Sequence, residues 1–213
     1  MLTEWLDYQQ DQSKDKVGDR LTRVYRLYLL AVAEEPLISE MNYMRENELE
    51  EMNNTGQYLL AGAYQLAGYD TVAHKLISGL DCKVKDYQET GGTYGSGLRD
   101  KAVMLEIITL FADYETGLKL YNQIADRLSS GTWYSTQTTG YSLLAASKYL
   151  LAVDDKTKQL KAEVITAEGT SKQVTTTEQI INLPVTNSYG KEIIVKNKEE
   201  RPLFATLEWE GIP

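Results

Sequence analysis

Apolar residues in this chain fall into two alternating kinds of run. One kind is apolar almost all round a helix: Leu27 to Ala33, Tyr58 to Ala67, Ala102 to Ala112 with only Glu106 and Thr109 polar, and Tyr141 to Val153. Such a helix is buried on most of its surface, so other helices must cover it. The other kind is amphipathic. Leu37 to Met52 carries Leu37, Met41, Met44 and Met52 near one side, and Val72, Ala73, Leu76, Ile77 and Leu80 make a short stripe. Tyr114 to Leu128 carries Leu118, Tyr121, Ile124, Ala125 and Leu128 on one face. Leu2 to Gln12 reads as the end of a further helix, with Trp5 and Leu6 on one side.

Polar punctuation separates these runs. Asp19 or Asp15 is placed to cap a helix running to Glu34, which Pro36 stops because proline has no N–H to continue the ladder. Asn53-Asn54-Thr55 caps the next apolar helix, and Gly68 stands where a left-handed C-terminal residue belongs. Asp70 is expected to cap the short helix after it, and Ser96 the helix entered at Leu98. The tetrapeptide Tyr-Leu-Leu-Ala recurs at Tyr28, Tyr58 and Tyr149, each time inside an apolar helix. Inner apolar and outer amphipathic helices therefore alternate, which predicts a mainly α protein: a partial α/α toroid of about eight helices, or an open solenoid of helical hairpins.

After Val153 the pattern changes to short alternations rich in Val, Ile and Thr. Ala162 to Thr166, Ile180 to Leu183, Ile193 to Val195 and Leu203 to Trp209 are the strand candidates, with turns at Asn187 to Gly190 and Asn197 to Arg201. The expected organisation is a helical domain over residues 1–153 and a small antiparallel β unit over 154–213, with the polar Asp154-Asp155-Lys156-Thr157 between them. A β tail this short must lean on other structure for its core.

Charge and reactive residues narrow the chemistry. The net charge of −9, from 31 acidic and 22 basic residues, argues against nucleic acid as a partner. The single Cys82 excludes an intrachain disulfide and a cysteine zinc cluster, and His74 is the only histidine, so no metal site is expected. Lys83 and Lys85 beside Cys82 are of the kind that lowers a thiol pKa, yet without a histidine the residue reads as an incidental thiol. Gly91 to Gly97 lacks the lysine of a phosphate loop, and its glycines are better suited to a tight turn into a helix. The acidic run Glu40, Glu46, Glu48, Glu50, Glu51 reads as a solvated face. Glu106, inside an apolar helix, needs a partner. Arg99 and Asp100 are the expected pair at the helix start, and Trp133 with Tyr134 reads as packing more than as a sugar platform.

Two motifs carry a family resemblance. Thr93-Tyr94-Gly95-Ser96, followed by Arg99-Asp100 and an apolar helix, is paired with Trp133-Tyr134-Ser135-Thr136-Gln137-Thr138-Thr139. Together with Leu21 to Tyr28, Met41 to Glu46 and the closing Arg201 to Pro213, they resemble the bacterial α2-macroglobulin-like proteins, in which the paired motif lies in the complement-like thioester domain. The resemblance implies a toroid fragment joined to part of a CUB-like β region. It also implies an exported, periplasmic or cell-envelope parent that traps proteases and acts as an endopeptidase inhibitor in host defence. The partners implied are proteases, reached through the full-length parent, and other domains of the same chain. Membrane contact would come only through a lipid anchor outside this piece. No cofactor and no catalytic residue are implied. Cys82 is followed by Lys83-Val84-Lys85 and so departs from the Cys-x-Glu-Gln thioester motif. Tyr94, Gly95, Ser96, Arg99, Asp100, Trp133, Ser135, Thr136 and Gln137 are the motif residues, with Thr136 and Gln137 expected to contact neighbouring loops or domains. Two other readings compete: an α/α-toroid enzyme (polysaccharide lyase, glycosidase or cyclase) with Glu106 as acid in a central cavity, and a helical-repeat adaptor with an open groove.

Overall fold

The computed structural model describes residues 2–90, 95–153, 159–166, 168–178, 180–185, 190–199 and 203–208. The chain forms two compact units, Met1–Tyr149 and Leu150–Pro213. Eight α-helices occur among the described residues: α1 Leu2–Lys14, α2 Arg20–Val32, α3 Ile38–Asn47, α4 Asn54–Leu66, α5 Asp70–Ile77, α6 Gly97–Leu110, α7 Tyr114–Ser129 and α8 Thr136–Val153, the last belonging to the first unit through Tyr149.

Local chemistry sets most helix starts. The side chains of Asp19, Asn53, Ser96 and Asp113 accept from the backbone N–H three residues on, at 2.7, 2.9, 3.1 and 3.1 Å, and so satisfy donors that a helix N-terminus leaves free. Gly68 closes α4 with φ +81°. Two expected signals act differently. The helix assigned to Pro36 ends earlier, at Val32, because Glu34 turns left-handed at φ +64°. Asp70 is the first residue of α5 and does not cap it; its carboxylate accepts from Gln65 Nε2 at 3.1 Å instead.

α2 packs on α4, and α4 on α6, as an inner layer, while α3, α5 and α7 lie against α2 and α4, α4, and α6 respectively. α4 and α6 are both enclosed, with every residue from Tyr58 to Tyr64 and from Ala102 to Ile108 buried. Full burial of each large apolar side chain there is worth roughly 1.5–3 kcal/mol. Gly62 lets the helices approach, since a Cβ there would meet Ile107 Cδ1 of α6 at 2.5 Å and Tyr28 Cε2 of α2 at 3.2 Å. α3 is shorter than expected: it stops at Asn47, and a 3-10 turn at Leu49–Glu51 follows. Glu48 sits at the break because Arg20 and Arg23 hold it, at 3.2 and 2.9 Å. Glu48 and Glu51 of the acidic run are therefore tied to α2, while Glu46 and Glu50 are exposed as expected of a solvated face.

The buried stripe of α7 is Gly117, Leu120 and Ile124, with Leu118, Tyr121, Ala125 and Leu128 half-buried beside it. Leu120 replaces Leu118 at its centre because Gly117 brings the helix against the Tyr149 ring, 2.7 Å from where a Cβ would stand. α8 departs furthest from expectation. Only Thr138, Ser142, Ala145 and Tyr149 are buried, whereas Leu143 is 58% and Leu144 48% exposed.

The second unit contains a three-stranded antiparallel sheet in the order β2-β1-β3, with β1 Leu160–Ile165, β2 Ser171–Thr176 and β3 Ile194–Asn197. Ala162 pairs with Val174 and with Asn197, and Val164 with Lys172 and with Val195. Ala162 and Val164 are buried. On the other face Glu163 accepts from Ser171 Oγ at 2.7 Å and pairs with Lys198 at 2.9 Å. The expected strands at Ile180–Leu183 and Leu203–Glu208 are not strands among the described residues. β2 takes a ladder position that its polar sequence, Ser-Lys-Gln-Val-Thr-Thr, does not advertise. It reaches β1 through a turn in which Gly169 adopts φ +79°. The expected break at Asp154 to Thr157, the turn at Asn187 to Tyr189, and Arg201, Pro202 and Trp209 to Pro213 lie outside the described residues.

Candidate functional site

The two motifs meet at the N-termini of α6 and α8. Ser96 caps α6, and Ser135 caps α8 by accepting from Thr138 N–H at 3.2 Å. Thr138 Oγ1 lies 2.8 Å from Ser96 Oγ and accepts from Ser135 Oγ at 3.0 Å. Three hydroxyls thus join the starts of two helices, with Ser96 and Thr138 42 positions apart in sequence. Thr138 is the residue that closes the junction, and it is 1% exposed. Gln137 and Thr136 occupy the first turn of α8 and face solvent, and Trp133 is 74% exposed. Tyr94 lies outside the described residues.

The start of α6 is held by the segment before it. Gly97 N–H donates to Tyr87 O at 3.0 Å, Glu89 N–H to Gly95 O at 2.8 Å, and Gly95 N–H to Glu89 Oε2 at 2.9 Å. Below them Asp100 is 2% exposed. It accepts from Tyr87 OH at 2.9 Å, and Arg99 Nη2 lies 3.4 Å away. Burial raises the Asp100 carboxyl above its ordinary 3.8, although the Tyr87 hydrogen bond and Arg99 oppose that shift. Burial and the Asp100 charge together push the Tyr87 phenol up to about 12.

A raised carboxyl pKa means that the stability Asp100 contributes is fully present below pH 3.8 and is lost as pH rises through its folded value. Asn at this position keeps an acceptor for Tyr87 and carries no charge. The unfolding free energy of Asp100→Asn relative to the parent should therefore move in the variant's favour between about pH 3 and pH 7. Urea titrations across that range measure it, and parallel curves would contradict it.

Glu106 faces the inner helices and has two partners. Tyr28 OH of α2 donates to its Oε1 at 2.9 Å, and Lys148 Nζ of α8 lies 2.5 Å from the same oxygen. The carboxylate is 8% exposed and Lys148 46%. Burial, with the Glu106 charge second, pushes the Tyr28 phenol well above its usual range. This is an ion pair braced by a phenol, joining α2, α6 and α8.

The remaining reactive residues are quiet. Cys82 is half-buried with its Sγ 3.4 Å from Tyr58 OH, and burial raises its thiol pKa, with Asp113 and Asp81 adding to the rise against the Tyr58 hydrogen bond. The lowering expected from Lys83 and Lys85 does not occur, because those lysines flank the thiol in sequence while carboxylates face it in space. His74 is exposed; its Nδ1 donates to Asp70 O at 2.9 Å, and its ring sits edge-on to Phe111 at 5.1 Å. Among the described residues no group of three His, Cys, Asp or Glu side chains is placed to hold a metal ion. No described helix is long and apolar enough to cross a membrane.

Layered helical hairpins followed by a small antiparallel sheet, with Ser96 and Ser135 serving as helix caps, place the chain in a class of mainly helical proteins with a β appendage. Solved structures give that class a particular example. Over 85% of its length the chain is similar to Escherichia coli α2-macroglobulin in its native conformation, with 22% identity and a TM-score of 0.52. It is likewise similar, over 85% of its length, to native E. coli α2-macroglobulin spanning domain MG7 to the C-terminus, with 21% identity and a TM-score of 0.50. At these identities the likeness is one of fold. The chain spans 11% and 28% of the two structures. No family model matches the chain, and no curated protein does.

Proposed function

We propose that the chain is a non-catalytic structural portion of a bacterial α2-macroglobulin-like protein that traps proteases in the cell envelope. The fold likeness across 85% of the chain carries this reading. Three features of the molecule support it. The motif residues Ser96, Ser135 and Thr138 are consumed in joining helix starts, and Glu106 is neutralised by Lys148 and Tyr28, so neither group is free for turnover. Trp133, Thr136 and Gln137 are presented to solvent beside that junction, where they suit contacts to further domains of the parent. Leu143 and Leu144 of α8 are bare although the corresponding inner helices are covered, as expected of a unit built to sit within a larger protein. In this reading residues 1–153 are the thioester-domain-like toroid fragment and 154–213 part of a CUB-like region. With no Cys-x-Glu-Gln motif in this stretch, the piece itself takes no part in covalent capture.

The test uses the full-length parent and trypsin. After the parent is cleaved, trypsin should keep hydrolysing a small chromogenic peptide while its digestion of casein falls several-fold. Undiminished casein digestion at stoichiometric parent would overturn the proposal.

A further inference from the structure

Helix α8 buries small and polar side chains and exposes its leucines. Thr138, Ser142, Ala145 and Tyr149 are buried, while Leu143, Leu144, Leu150 and Leu151 are 58, 48, 36 and 66% exposed. At about 100° per residue these leucines form two rows along the helix, Leu143 with Leu150 and Leu144 with Leu151. Between the rows runs a floor of Thr136, Gly140 and Ser147, all exposed. A Cβ on Gly140 would meet nothing within 4 Å. A contiguous apolar face of this kind marks an interaction surface.

The spacing restricts what covers it. Leu143, Leu144, Ser147, Leu150 and Leu151 occupy positions that read the same in either direction from Ser147. An antiparallel copy of the helix, related by a two-fold axis at Ser147, therefore sets Leu143 and Leu144 of one molecule level with Leu150 and Leu151 of the other. The result is a layer of four leucines on either side of the crossing serines. Such self-complementarity is what an isologous interface requires. Steps of three and four residues along 143, 147 and 150, and along 144, 147 and 151, suit knobs-into-holes packing. A small residue at the crossing point lets two helices approach closely. A helix from another domain of the parent would cover the leucines without needing them to be symmetric. A lipid surface would need neither the symmetry nor the serine.

Charge permits the pairing. Lys148 is the only charged residue in α8, and it lies 2.5 Å from Glu106. The face is thus nearly neutral on a chain of net charge −9, and two copies meet there without opposing unanswered like charges. A single helix pair is smaller than the roughly 800 Å² per partner of a standard interface, so weak, reversible association follows.

We propose that two copies of this chain associate through α8, antiparallel, about a two-fold axis at Ser147. Pairing does not depend on protease trapping, and protection of casein by the parent is read separately from it.

The test is sedimentation equilibrium of the whole chain from about 1 μM to about 1 mM. A reversible monomer–dimer equilibrium is expected, weakened at least tenfold by Leu144→Glu, with far-UV circular dichroism confirming the fold of the variant. In a Cys82→Ser background, Ser147→Cys should form a disulfide-linked dimer with oxidised glutathione, two thiols giving one disulfide as the reagent becomes two molecules of glutathione. Thr136→Cys should not, because antiparallel pairing leaves those two positions about 33 Å apart. The change at 147 replaces one exposed hydroxyl by a thiol, so this arm holds even if the Leu144 variant folds poorly. A chain that stays monomeric, a dimer indifferent to Leu144→Glu, or linking at 136 as ready as at 147 would each overturn the proposal. A full-length parent that fails to link through position 147 while the chain alone links would assign the leucines to another domain and overturn it too. So would binding of a monomeric chain to phosphatidylglycerol vesicles that Leu144→Glu abolishes.

Discussion

Lys148→Met should destabilise the helical unit by about 2 kcal/mol, and adding Glu106→Gln should restore most of that loss. Removing the lysine leaves a carboxylate that is 8% exposed with, among the described residues, only the Tyr28 hydroxyl to answer its charge. Breaking a fully buried pair in this way costs roughly 3–5 kcal/mol. Lys148 is itself 46% exposed, so solvent already screens part of the interaction, and the smaller figure follows. A glutamine at 106 still accepts from Tyr28 and needs no cation. Urea denaturation of the single and double variants gives the coupling directly. A single Lys148→Met variant within about 0.5 kcal/mol of the parent would mean that Glu106 reaches water without help. The same pair bears on function. A carboxylate whose removal is tolerated once its lysine is gone holds helices together, whereas a general acid would leave the fold indifferent to Lys148 and the chemistry dependent on Glu106.

Features decided within a few residues could be read from the sequence alone. Asp19, Asn53 and Ser96 stand at helix starts because each needs only the N–H three residues on, a relation visible in a short window. The inner helices α4 and α6 were legible for a similar reason, since their apolar runs leave no polar face to turn outward, and so was the second half of α2, although its first half carries Arg20, Arg23 and Arg26. The tetrapeptide Tyr-Leu-Leu-Ala shows where such reasoning stops. At Tyr58 all four residues are buried, while at Tyr149 only the tyrosine is, and Leu150 and Leu151 are exposed. Composition reports what a helix is able to bury, and the neighbours decide what it does bury. Glu106 was recognisable as needing a partner, but Tyr28 lies 78 positions away and Lys148 42, and each looked ordinary in its own helix. Thr138 was passed over at the junction because α8 begins at Thr136, a turn before the apolar run that announced it. β2 escaped because edge strands need little apolar character; its ladder comes from β1 and from the turn at Gly169.

Gly97→Ala should cost about 2 kcal/mol, while Gly62→Ala, with a nominally closer clash, should cost about 1 kcal/mol. The difference lies in what the new methyl group meets. At Gly62 the nearest atom is Ile107 Cδ1, at 2.5 Å, the free end of a side chain that can change rotamer although its surroundings are packed. At Gly97 the nearest atom is the carbonyl oxygen of Lys85, at 2.7 Å, with Asp86 Cα at 3.5 Å behind it, so backbone must move. Alanine also restricts the unfolded chain, a gain of roughly 0.4–1 kcal/mol common to both sites that leaves their order unchanged. The two variants should differ in where they loosen the molecule. Displacing Lys85 strains the segment bonded to the start of α6 through Gly97 N–H to Tyr87 O and Glu89 N–H to Gly95 O. Hydrogen exchange at residue 97 and at Glu89 should therefore accelerate in Gly97→Ala more than global stability requires, with the amides of α4 following the global change alone. In Gly62→Ala the inner helices should share the loss evenly. Exchange at residue 97 that merely tracks global unfolding in Gly97→Ala would show that the segment shifts as one body with α6, and the backbone contact would then not be what requires glycine there.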